Sequence, residues 1–184
     1  MSRRRKRKGQ WPSWVNTKEK RLREEAEKIA AFWQDAINSN RWPDIIKEAF
    51  DEAMRLIEQK FPSAAGWGYR VDIVTKRCDE NPHRVACYNW LASDERFALF
   101  KIYLPNVIKH RPELLVSIWL HEIGHHLTLT VLRSKIPPYL RFGDPEGLAN
   151  GIVALCGYTP KWEDGEWFAD TPPNELVVDL RLEG

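Results

Sequence analysis

The chain is short of several features that would place it outside ordinary globular proteins. It has only three cysteines in 184 residues, Cys78, Cys87 and Cys156. An odd number at uneven spacing excludes a disulfide framework and points to a reducing, cytoplasmic setting. No apolar run is long enough to cross a bilayer, since the longest, around Leu114–Leu120, runs straight into charge where a spanning helix needs about 20 apolar residues. The N-terminus is basic but lacks the apolar stretch of a secretory signal, and no internal repeat is visible. What the chain does have is ordinary: 43% hydrophobic and 29% charged residues, enough for one domain with a real core.

Charge is unevenly spread. Six consecutive basic residues, Arg3 to Lys8, open a chain whose net charge is only +2, so the remainder is mildly acidic. Residues 1–16 read as a basic tail with no fold of its own, and 17–184 as a single domain whose last part, 158–184, is broken by Pro and Gly and resists assignment. A run such as Arg3–Lys8 is a candidate for salt-sensitive, sequence-independent phosphate contacts with nucleic acid, or is simply a solvated extension.

Apolar positions Leu22, Ala26, Ile29, Ala30, Trp33 and Ile37 recur at helical spacing and predict a helix from Thr17, its N-cap, to about Asn38. Pro43 opens a second helix with the stripe Ile46, Ala49, Phe50, Ala53, Met54 and Ile57, closing before Pro62. Three short segments rich in β-branched and aromatic residues follow: "YRVDIVTKR" (69–77), "RVACYNWLA" (84–92) and "RFALFKIYL" (96–104). Turn-prone "CDENP" and "SDE" separate them, which predicts a small antiparallel sheet. A helix is expected from about Pro112 to Arg133, then a loop, then a helix capped by Asp144 and begun by Pro145. The fold class is therefore α+β.

The segment "LLVSIWLHEIGHHLTLTVL" (114–132) sets polar groups in an oily helix, where they are costly unless something there needs them. His121 and His125 are four apart, on one helix face about 40° apart in projection. His-Glu-x-x-His on a helix is the zinc-protease pattern, two metal ligands with Glu122 as general base. Such a pattern arises by chance on the order of once in a hundred sequences of this composition, and the apolar setting makes chance a poorer explanation still. His126 lies off the ligand face, as a residue supporting the site or at the surface. Gly124, a poor helix former, would let another backbone come close. Catalytic zinc takes three protein ligands, and Glu146, Glu166 and Glu175 each compete for the third place with an acidic or amide residue four positions on. Cys78 and Cys87 flank His83, a spacing that admits a second metal site, although reduced thiols in or near a core are the commoner outcome.

"HEIGHH", then "IPPYLRFGD", then "PEGLAN" resembles the gluzincin metallopeptidases, over about residues 97–157. The resemblance implies a zincin-like domain with N-terminal helices, a sheet, an active-site helix and a third-ligand helix. It makes Glu146 the third ligand to one Zn2+, with Glu166 the alternative. It also makes Phe97–Leu104 the edge strand that holds a peptide substrate, and Tyr139 and Tyr158 candidates to steady the oxyanion. The small residues Gly147, Ala149 and Gly151 would allow close helix approach, and Asn150, one turn beyond Glu146, would hold a ligand histidine by a hydrogen bond. No Gly-x-Met-Glu-Asn-type segment is present, so the implied activity is that of an endopeptidase on a protein or peptide, with no membrane partner. In it, Glu122 would deprotonate a metal-activated water and pass the proton to the leaving amine. The alternative is a non-catalytic zincin-like module that keeps its metal for structure and binds a partner or nucleic acid; Glu122 argues against it, since a purely structural site has no use for a base.

Overall fold

The computed structural model describes residues 13–62, 66–133 and 145–158, which form five α-helices and one three-stranded sheet. Helix α1 (Ser13–Asn38) begins upstream of Thr17, which therefore lies inside the helix and is not its cap. The chain reverses at Asn40, whose φ of 54° is a left-handed conformation that Asn adopts more readily than most residues. Helix α2 (Trp42–Lys60) follows, with Pro43 in its first turn. Asp44 near its start and Lys60 near its end both suit the helix dipole. The stripe Ile46, Ala49, Phe50, Ala53, Met54 and Ile57 is buried as expected.

Strands β1 (Gly68–Val74), β2 (Ala86–Tyr88) and β3 (Phe97–Tyr103) pair in the order β1-β3-β2. The antiparallel sheet expected from the sequence is a mixed one: β1 runs parallel to β3, and only β2 is antiparallel to it. The turn-prone segments suggest hairpins, but residues 75–96 act together as a crossover of the length that parallel pairing requires, with β2 inside it. A second correction follows. Strand β3, expected as the substrate edge, is the central strand, and its main-chain groups are taken up on both sides; the edge nearest the His-Glu-x-x-His helix is β2.

Pro105 ends β3 and leads into the short helix α3 (Leu104–Val107). Helix α4 (Leu114–His126) is buried almost all round, packing against α2, against β2 and against α5 (Pro145–Leu155). An apolar helix with no solvent face belongs in a core. Trp119 stacks edge-on to Phe50 at 5.0 Å and donates from its indole N–H to the Ile46 carbonyl at 3.2 Å. Phe100 from the sheet joins them, 5.6 Å from Phe50. Burying side chains of this size contributes about 1.5–3 kcal/mol each, so α4 is fixed by its apolar body and its polar residues are free to serve chemistry. Past His126 the helix widens into a π turn, Leu127–Val131, closed by Leu132 N–H on the Leu127 carbonyl at 2.7 Å. Among the described residues no helix is long and apolar enough to cross a membrane.

Candidate metal centre

Gly124 decides how closely α5 can approach α4. A Cβ on it would stand 2.9 Å from the Ala149 carbonyl oxygen and 3.0 Å from the Ala149 Cα, both backbone atoms with no room to move aside. Gly124 and Ala149, which are fully packed together, make the contact; Gly151, expected to share it, faces open space, and Gly147 is exposed. This approach brings Glu146, in the first turn of α5, over the two histidines of α4. One ligand atom from each of His121, His125 and Glu146 lies within 4.8 Å of the others, so the three could hold a metal ion.

Glu146 Oε2 is 3.1 Å from His121 Nε2 and 3.4 Å from His125 Nε2. A tetrahedral ion with bonds of about 2.0–2.1 Å sets its ligand atoms about 3.3–3.4 Å apart, which is close to the spacing found. Proton bookkeeping gives an independent test of fit. Asn150 Oδ1 lies 3.0 Å from His121 Nδ1. An amide oxygen only accepts, so Nδ1 carries the proton, and Nε2 of the neutral ring turns a lone pair toward a carboxylate. That contact is repulsive unless the ring takes a second proton or a cation lies between the two. Two imidazoles and one carboxylate suit divalent transition metals, zinc among them.

The electrostatics point the same way. Hydrogen bonds with His121 and then His125 hold the Glu146 carboxyl well below the usual carboxylate range, against its partial desolvation. Burial works to lower the pKa of His125, but Glu146 and Glu122 outweigh it and raise it. The centre is a concentration of negative charge around two rings, as a cation site should be. Its histidines are supported unequally: Asn150 orients His121 as expected, while His125 Nδ1 is buried without a partner among the described residues.

Glu122 is buried, only 7% exposed, on the next face of α4. Its Oε2 accepts the Tyr88 main-chain N–H from β2 at 2.6 Å. Between β2 and the helices lies a cleft of about 780 Å³, with His121, Glu122, His125 and Glu146 on one wall and Tyr88 and Trp90 on the other. Asn106, buried at the end of α3, anchors the far wall by donating to the Pro82 and Arg84 carbonyls, each at 2.8 Å.

Other expectations fare differently. His126 is not a surface residue: it is wholly buried against Trp67, Tyr88 and Phe100, and burial pushes its pKa down to about 4. Tyr158 lies near Glu52 and Arg55 of α2 and does not line the cleft. Cys78 and Cys87 flank the Tyr103 hydroxyl without gathering His83 into a ligand group, and His121, His125 and Glu146 are the one such group among the described residues. The tail Arg3–Lys8, Tyr139, Asp144, Glu166 and Glu175 lie outside the described residues. The sequence gives no sign of Tyr88 or Asn106 as parts of the site, and only a faint one of Thr130. A main-chain donor carries no residue signature, and "HHLTLT" on an apolar helix reads only as core; the four-residue step from Glu122 through His126 to Thr130 is the one clue. In comparison with known proteins, no protein-family model, curated protein or solved structure significantly matches the chain.

Proposed function

We propose that the chain is a zinc-dependent endopeptidase of gluzincin type, acting on extended stretches of protein or peptide. The observation that carries this reading is Glu122, a buried carboxylate on the cleft wall, one residue from a ligand histidine and held by a main-chain N–H. A site that keeps metal only for structure gains nothing from such a group. His121, His125 and Glu146 would hold the ion, which when bound supplies a Lewis acid for a peptide carbonyl and makes water acidic enough to react near neutral pH. With Oε2 engaged by Tyr88, Oε1 of Glu122 is the atom left to accept a proton from the attacking water and return it to the departing amine nitrogen.

The substrate strand belongs on β2. In the β2–β3 pairing Cys87 faces Lys101, and Asn89 N–H donates to the Leu99 carbonyl. The main-chain groups of Ala86 and Tyr88 therefore point away from β3; the Tyr88 N–H is taken by Glu122, and an extended peptide laid along the others would be held by backbone hydrogen bonds tolerant of sequence. Trp90 and Leu91, 67% and 78% exposed at the rim, offer cover to an apolar substrate side chain. Incubating the zinc-loaded protein with an unfolded protein substrate tests the reading. Cleavage is expected, falling about 10²–10⁴-fold in Glu122→Gln with zinc retained. Bound zinc without cleavage of any unfolded protein, or full activity in Glu122→Gln, would move the assignment to the metal-binding module.

A further inference from the structure

The residues that hold Tyr88 lie on the helix it serves. Its phenol oxygen is 2.8 Å from Thr130 Oγ1 and 3.3 Å from His126 Nδ1, while its main-chain N–H lies on Glu122 Oε2 at 2.6 Å. One residue of a three-residue strand is thus fixed at both ends to α4 and its extension. Glu122, His126 and Thr130 follow one another at four-residue steps. In an α-helix each such step drifts about 40° around the axis; the π turn at Leu127–Val131 winds less per residue and brings Thr130 back under the row.

His126 is held among aromatic rings. Its ring is wholly buried, with the Trp67 ring 4.3 Å away and Tyr88 and Phe100 beside it, a setting that favours the neutral imidazole. Nε2 has no hydrogen-bond partner among the described residues. With the ring's proton on Nε2, Nδ1 accepts from the Tyr88 hydroxyl and that hydroxyl from Thr130; with it on Nδ1 the order reverses, and in both tautomers the phenol oxygen is held by the same two partners.

We propose that Tyr88 is a positioning residue: its phenol, fixed by His126 and Thr130, holds its main-chain N–H on the Glu122 carboxylate and so sets where the base stands. The catalytic part of this rests on the peptidase reading; the hydrogen-bond relay does not. Two readouts on the full-length, zinc-loaded protein keep them apart. The first is the amide proton shift of Tyr88 by NMR. It is expected downfield in the wild type and in Thr130→Ser, and moved upfield in Glu122→Gln, Tyr88→Phe and Thr130→Val. The second is hydrolysis of an unfolded protein substrate: kcat should fall about tenfold in Tyr88→Phe and Thr130→Val, the worth of one ordinary hydrogen bond, with KM and zinc content unchanged, and Thr130→Ser should restore it. An amide shift indifferent to Thr130→Val and Tyr88→Phe overturns the proposal, as does an unchanged kcat in both. If the wild type cleaves nothing, the amide shift alone decides, and the relay stands or falls without the peptidase.

Discussion

On its α5 side, helix α4 meets its neighbour through side chains: His121 and His125 face Glu146, Asn150 holds His121, and Gly124 clears the space. On its β2 side it works through a main chain: Glu122 reaches a backbone N–H, and His126 and Thr130 fix the phenol of the same residue. One helix thus presents two rows at four-residue spacing, one to a group that could hold a metal ion and one to the strand opposite. The first row depends on which residues are present, and the second on where a strand runs. A substitution in the first row should act on metal affinity, and in the second on rate.

The strongest way to break the comparison within the metal row is Asn150→Ala. Losing the partner of His121 Nδ1 should weaken zinc binding about 10–100-fold, measured by competition with a chelator, and leave the Tyr88 amide shift where it is. The two glycines of the helix pair come next. Gly124→Ala would press a methyl on the Ala149 backbone; overpacking of this kind costs about 1–3 kcal/mol, read as a lower midpoint of denaturant unfolding, and should loosen zinc as well. Gly151→Ala, where nothing lies within 4 Å, should instead stabilise the fold by up to about 1 kcal/mol through helix propensity, read as a higher midpoint, with zinc affinity unchanged. If the two glycine variants behaved alike, the close contact would not be what assembles the centre.

The same division explains what could be read in advance. His121, Glu122 and His125 were legible because a helix turns local spacing into a shared face. Glu146 was one of three glutamates that spacing left open, each with an acidic or amide residue one turn on, and only the gluzincin resemblance singled it out; the structure brings it and Asn150 to α4. The stripe of α2 likewise needed only its own period. Edge or centre is a property of neighbours, and so "RFALFKIYL" looked the same as the edge strand it is not. Tyr88 escaped notice because its contribution is a main-chain N–H, and His126 was left between supporting the site and the surface because a polar residue on a core helix declares its burial only through partners far away in the chain.

Metal content tests the central claim most directly, measured by elemental analysis on the purified, zinc-supplied wild type beside Glu146→Ala and Glu166→Ala. The account predicts about one zinc ion per chain in the wild type and in Glu166→Ala, and its loss in Glu146→Ala. Zinc retained by Glu146→Ala, or absent from the wild type, would contradict it.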